Sequence, residues 1–211
     1  MGLPSVFLRL ATCNLSCAWC DTKYTWDWQN FDYQTEVVEL EASEIQKKIQ
    51  AFDCSHVVIT GGEPMLQQAE LTPLVESLAA DGYTFEVETN GTIAPLPELQ
   101  RYVGQWNVSP KLRTSGNQSE KSQVPSAIEA FAGLAEAYFK FVVTGESDIE
   151  EVCALRDQYK LTPDRVLLMP EGRTPEALEK KSPWLSEECV KHGFRFTTRL
   201  HILLWGDERG R

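Results

Sequence analysis

The sequence predicts an α/β domain, an open, partial (β/α) barrel of about six strands. Three observations lead there. Short runs rich in β-branched and aromatic residues alternate with longer stretches of helical periodicity, the pattern of a parallel sheet with right-handed crossovers. The chain has 211 residues, short for a closed eight-fold barrel of ~250. Of these residues 42% are hydrophobic, enough for one core, and no internal repeat or linker divides residues 1–211.

The strands are read at 5–10, 56–59, 84–88, 105–108, 138–143, 165–168 and 196–200, each a β-branched or aromatic run. Between them, 42–52 sets Ile45, Ile49 and Phe52 on one helical face, and 71–80 does the same with Leu74 and Leu78. Helical patterns at 126–135, 148–159 and 174–192 complete the set, the last expected to break near Pro183. Thr72-Pro73, Ser147 and Thr174-Pro-Glu read as helix starts. Residues 21–41, with Tyr24, Trp26, Trp28, Phe31 and Tyr33, and residues 111–125, rich in Ser, Gly, Asn and Lys, read as long loops.

With 31 acidic against 20 basic residues the net charge is -11, which argues against wrapping nucleic acid. No apolar run approaches the ~20 residues that span a bilayer, and the opening of the chain lacks a basic start and the apolar stretch of a signal peptide. The expectation is a soluble cytoplasmic protein with no membrane or nucleic-acid partner.

Three of the six cysteines crowd together as Cys13-Asn-Leu-Ser-Cys17-Ala-Trp-Cys20, directly after the first strand. Soft thiolates at C-x3-C-x2-C spacing suit zinc or an iron-sulfur cluster. Structural zinc takes four protein ligands. The fourth here would have to be Asp21, His56, His192 or His201, none spaced like a zinc-finger partner. A 4Fe-4S cluster with one open iron fits the odd number better, and an open iron can bind a small molecule. Cys54, Cys153 and Cys189 read as ordinary core or surface thiols.

The cysteine spacing resembles the signature of the radical S-adenosylmethionine enzymes, and their other motifs follow in order. Thr60-Gly61-Gly62-Glu63-Pro64 ends the second strand, and paired glycines let a backbone approach a ligand closely. Glu88-Thr89-Asn90-Gly91-Thr92, Ser109-Pro110-Lys111 and Met169-Pro170-Glu171-Gly172 follow the third, fourth and sixth strands, the rim on which barrel folds build active sites. The opening Gly2-Leu-Pro-Ser-Val-Phe-Leu-Arg9-Leu, with Cys13-Asn-Leu and Trp19-Cys20-Asp21-Thr22, is similar to the 7-carboxy-7-deazaguanine synthase branch. The likeness runs from Gly2 to Trp205.

That resemblance implies a barrel of the radical SAM type, (β/α)6. It also implies a lyase that converts 6-carboxy-5,6,7,8-tetrahydropterin to 7-carboxy-7-deazaguanine and releases ammonia, in queuosine and 7-deazapurine biosynthesis. Cys13, Cys17 and Cys20 are implied to hold a 4Fe-4S cluster, and Thr22 to ligate Mg2+ beside the substrate carboxylate and waters. Gly62, Glu63, Glu88, Ser109, Pro110, Lys111, Met169, Pro170, Glu171 and Gly172 are implied to contact S-adenosylmethionine. Arg9, Thr60 and His201 are implied to meet the pterin. By residue type alone, Arg9 fits equally a solvated strand residue, and a lone histidine such as His201 is more often structural. No catalytic protein group is implied beyond the cofactor-derived radical. The implied partners are the small pterin substrate, an electron-donor protein such as a flavodoxin, and a second copy in a homodimer.

One feature departs from the family pattern: a Gln-Gly-Glu-Gly-like segment that elsewhere precedes the first strand and touches the pterin is not present before Met1-Gly2. Either the true start lies upstream or the substrate is clamped differently. Two other readings stay open. A radical activase that makes a glycyl radical shares the cysteine spacing, though not the Cys-Asp-Thr and Ser-Pro-Lys strings. A non-catalytic iron-sulfur or zinc protein would need a fourth protein ligand.

Overall fold

The computed structural model describes residues 2–209; Met1, Gly210 and Arg211 lie outside them. Among the described residues seven parallel strands form one sheet in chain order: β1 (Val6–Leu10), β2 (His56–Gly61), β3 (Thr84–Thr89), β4 (Val103–Val108), β5 (Ala137–Val143), β6 (Val166–Pro170) and β7 (Arg195–Phe196). Consecutive neighbours in a parallel sheet require a crossover each time, and helices supply them. They are α1 (Tyr33–Glu36) and α2 (Ala42–Gln50) before β2, α3 (Gln68–Ala80), α4 (Pro97–Gln100), α5 (Ser119–Ser122), α6 (Pro125–Ala132), α7 (Glu146–Tyr159), α8 (Pro175–His192), and α9 (Leu200–Trp205) after β7. Among the described residues no helix is long and apolar enough to cross a membrane.

Strand side chains alternate between two faces. One face packs beneath the helices: Ile59, Phe85, Trp106, Phe139, Phe141 and Leu168 are buried in the main core with Leu71, Leu74 and Leu78 of α3 and Val152 of α7. The pairing register sets the other face. Arg9 stands beside Thr60, Glu88 beside Asn107, and Asn107 beside Tyr138. This inner face is mixed, its polar groups standing among Val58, Val142 and Met169, unlike the wholly aliphatic layers that fill a closed barrel.

Several elements differ from the sequence reading. Among the described residues there are seven strands rather than about six, and the run read as a strand over 196–200 contributes only the end of β7, because Leu200 already begins α9. α8 continues through Pro183. The missing N–H there frees the carbonyl of Glu179, and both residues face solvent, where water can satisfy it. Likewise Thr72-Pro73 is not a start: a 3-10 turn over Pro64–Gln67 leads into α3 at Gln68, and Pro73 sits inside the helix. Thr174 does cap α8, its hydroxyl accepting from Ala177 N at 3.2 Å. Phe52 falls beyond the end of α2 and is exposed, whereas Ile49 is buried. The two long loops are tightened by 3-10 turns, Lys23–Thr25 and Arg113–Ser115, as well as by α1 and α5.

Candidate active site

The site is built on the loops that leave the C-terminal ends of the strands. After β1, Thr12 adopts a left-handed conformation (φ 72°), and its N–H donates to Thr25 O at 2.6 Å. The chain then enters the cysteine loop. That loop is pinned to the segment after β4: Ala18 N donates to Ser115 O at 2.9 Å, and Ser16 N to Asn117 Oδ1 at 3.0 Å.

All six cysteines are free thiols, and each of the clustered three is met by an N–H donor. Leu15 N approaches Cys13 Sγ at 3.5 Å, Asn117 Nδ2 approaches Cys17 Sγ at 3.1 Å, and Trp26 Nε1 approaches Cys20 Sγ at 3.4 Å. The Lys111 ammonium, donating to Ser109 O at 2.7 Å and Ser109 Oγ at 2.9 Å, adds a positive charge felt by Cys13 and Cys17. Burial pushes the Cys13 thiol up to about 11 and raises Cys17, with Lys111 and Asn117 opposing at Cys17. Burial likewise holds Lys111 below the usual lysine range. Cys13 and Cys17, which resist ionisation alone yet meet N–H donors and a cation, fit a cationic iron cluster that takes them as thiolates. Among the described residues no three His, Cys, Asp or Glu side chains are grouped to hold a single metal ion, which disfavours zinc but not a cluster, where each cysteine takes a different iron. Three of the four residues considered as a fourth zinc ligand are engaged elsewhere. His56 contacts Thr84 Oγ1 at 2.8 Å and Glu86 at 3.2 Å, at the N-terminal ends of β2 and β3. His192 faces Cys153 Sγ at 3.6 Å, and Asp21 is held by Arg199.

After β2, the two glycines prove necessary for a reason other than ligand approach. A Cβ on Gly61, whose φ is +147°, would lie 2.1 Å from Leu10 O, and one on Gly62 would lie 1.9 Å from Thr12 O and 3.0 Å from Cys13 Cβ. The turn therefore packs backbone to backbone against the cysteine loop, with Gly62 N donating to Leu10 O at 3.0 Å and Glu63 N to Thr12 O at 2.8 Å. Glu63 is also different from its expected role. Its carboxylate is fully buried and accepts from Met65 N at 2.9 Å, Thr89 Oγ1 at 2.7 Å and Asn90 N at 2.6 Å. It ties the turn after β2 to the turn after β3 and has no face left for a cofactor. Burial raises its pKa against the pull of those donors.

Asn90 extends the same network, its Nδ2 donating to Asn14 Oδ1 at 2.8 Å. Glu88, on the inner face, is ion-paired with Lys140 of β5. Ser109 is buried and Lys111 folds back on it. At the end of β6, Met169 occupies the inner face and Pro170 is buried. The Glu171 carboxylate instead turns outward to Lys181 of α8 at 2.7 Å, and Gly172 packs on Ala177 and Leu178, where a Cβ would approach to 3.1 Å.

Arg9 is exposed on the inner face beside Thr60. Thr22 Oγ1 lies 3.6 Å from Cys20 Sγ. His201 is on α9, and desolvation lowers its pKa, with Asp21 opposing and Arg199 and Arg9 reinforcing. Arg9, Asp21, Arg199 and His201 thus share one electrostatic neighbourhood. Cys54 donates to Pro4 O at 3.2 Å and the buried Cys189 to Arg195 O at 3.4 Å, away from the cysteine loop.

Four contributors escaped the sequence reading: Trp26, Asn117, Lys140 and Arg199. Lys140 had a signal, a single charge at the centre of the apolar run Ala-Tyr-Phe-Lys-Phe-Val-Val. Asn117 had none, since it meets Cys17 across 100 residues of chain.

A family model described as the Radical SAM superfamily matches residues 9–109. The 7-carboxy-7-deazaguanine synthase of Pyrobaculum aerophilum is 40% identical over 213 residues, spanning 100% of this chain and 90% of that protein. The protein of the same name from Hyperthermus butylicus is 35% identical, over 96% of this chain and 85% of its own. Among solved structures, QueE from Escherichia coli superposes with a TM-score of 0.67 at 27% identity, covering 94% of this chain and 86% of that one. Streptococcus suis SuiB bound to S-adenosylmethionine shares the fold, with a TM-score of 0.62 at 14% identity over 92% of this chain and 50% of its own.

Proposed function

Since this chain belongs to the 7-carboxy-7-deazaguanine synthase family of the radical SAM superfamily, we propose that it converts 6-carboxy-5,6,7,8-tetrahydropterin to 7-carboxy-7-deazaguanine with release of ammonia, within queuosine and 7-deazapurine biosynthesis. The observation that carries this reading is the trio of thiols, each met by an N–H donor, at the rim of the mixed inner face. The 4Fe-4S cluster and S-adenosylmethionine that go with the family supply, when bound, the radical that starts the rearrangement.

The chain's own residues bind and orient. Cys13, Cys17 and Cys20 hold the cluster. The Lys111 ammonium, Ser109, Pro110, the Gly62 turn, Glu88, Met169 and Pro170 line the S-adenosylmethionine side. Arg9 pairs with the substrate carboxylate, Thr60 lies next to it across β1 and β2, and His201 contributes from α9. Thr22 offers its hydroxyl to Mg2+, an ion that keeps most of its waters and takes few protein ligands. The electron donor is a protein such as a flavodoxin; the cavity of about 90 Å³ beside Cys20 is of mixed charge, with Arg173 paired to Asp207, Arg209 paired to Glu36, and Asp21 and Lys23 completing its charged lining. The exposed Leu203, Leu204 and Trp205 of α9 offer apolar surface for pairing two copies. Residues 1–211 act as one domain, in the cytoplasm.

The test is anaerobic incubation of cluster-loaded protein with the pterin, a reductant and S-adenosylmethionine. The deazaguanine product is expected together with 5'-deoxyadenosine. Formation of 5'-deoxyadenosine with no deazaguanine product would overturn the substrate assignment while leaving the superfamily intact.

A further inference from the structure

Asp21 stands between Cys20 and Thr22 in the chain, next to the hydroxyl proposed to bind a divalent cation. A carboxylate is a better ligand for Mg2+ than a hydroxyl, so this neighbour ought to compete for the ion. Its side chain is tethered, with one of its two oxygens engaged. Its Oδ2 accepts from Arg199 Nη1 at 2.5 Å, across 178 residues of chain. Arg199 precedes α9 and is only 6% exposed, and its Nε is buried with no hydrogen-bond partner. A guanidinium so placed leans on its carboxylate, because separating the two leaves an uncompensated charge in a desolvated site.

We propose that Arg199 decides which residue ligates the divalent cation. By holding Asp21, it keeps the carboxylate out of the coordination shell and leaves the protein one hydroxyl, that of Thr22. The ion is then recruited together with the substrate's own carboxylate rather than ahead of it. Arg199 is a positioning residue, acting through Asp21, and it makes metal binding and substrate binding mutually reinforcing. This inference rests on the Mg2+ role proposed for Thr22.

Mn2+, which takes the same oxygen ligands and is counted by the paramagnetic signal of the free ion, is the probe. Substrate-free, cluster-loaded protein is titrated as wild type, Arg199→Met, Arg199→Lys, Asp21→Asn and the double variant Asp21→Asn/Arg199→Met. Freeing a carboxylate adds a charged ligand, so Arg199→Met binds Mn2+ about tenfold or more tighter than wild type. Arg199→Lys stays near wild type because it still pairs with Asp21, and removing Arg199 changes the affinity far less when Asp21 is already replaced (the double variant against Asp21→Asn) than when it is present, which separates a released ligand from a mere loss of positive charge. Unchanged affinity in Arg199→Met overturns the proposal, as does an equal gain when Arg199→Met is added to Asp21→Asn. Should Arg199→Met fail to load its cluster, Asp21→Asn decides alone. With the oxidised analogue 6-carboxypterin present it keeps wild-type Mn2+ affinity if Asp21 is held off the ion, and loses it if Asp21 is a ligand. Failure of the underlying reading looks different: Thr22→Ala would then bind Mn2+ as well as wild type in the presence of 6-carboxypterin.

Discussion

Alternate residues of the same strands do opposite jobs. On β5, Phe139 and Phe141 are completely buried beneath the helices, while Lys140 between them crosses the inner face to Glu88. On β4, Trp106 is buried in the main core and Asn107 beside it donates to Glu86 Oε2 at 3.1 Å. The outer face stabilises the fold by removing large apolar surface from water. The inner face carries partly buried polar pairs such as Lys140–Glu88 and Asn107–Glu86, which can exchange partners for a ligand without unfolding the sheet. Stability and chemistry are separated by one residue of register.

The sharpest way to break this contrast is at β5. Phe141→Ala should cost roughly 3–5 kcal/mol of folding free energy, seen as a shift of the urea midpoint; a cost no larger than that of an inner-face change would end the division of labour. Glu63 belongs to neither face, being a buried bolt between two rim turns. Glu63→Gln turns an NH2 towards a backbone N–H it cannot pair with, for an expected loss of about 1–3 kcal/mol in the same measurement.

The rim responds to pH with a sign that follows from burial. Cys13 is held as a thiol, its pKa pushed up to about 11, so its proton must leave when iron binds. Cluster retention against a chelator should therefore rise with pH across the neutral and mildly alkaline range, by about 1.4 kcal/mol per pH unit for each thiol proton released. A flat profile would mean the thiolates are already formed. The smallest stability effect belongs to Lys140→Met. Losing this partly buried ion pair should cost about 1–2 kcal/mol, while S-adenosylmethionine binding weakens measurably by calorimetry. A stability loss matching Phe141→Ala would place Lys140 with the core instead.

How much of this could be read from sequence follows the range of the interactions. The strand-helix alternation and the rim motifs are local, and the seven runs recur as strands within a few residues. The failures were at places where neighbours far along the chain decide. Pro183 and Pro73 are tolerated because their helix faces meet water, which no local rule records. Glu63 looked like a ligand because its motif is shared, but its three donors come from turns on two strands. The need for glycine at 61 and 62 was legible, but its cause was not, since the obstructing atoms belong to β1 and the cysteine loop.

The strands pair in the order in which a ribosome would release them, yet the iron site does not mature in that order. Cys17 emerges early, whereas the amide that cradles it belongs to Asn117, 100 residues later. At about 5–20 residues per second of synthesis, the nascent chain carries bare cysteines for on the order of 5–20 seconds. A delivery system that offered iron during translation would therefore meet a loose thiol loop. The object it has to recognise is a chain already grown past β4.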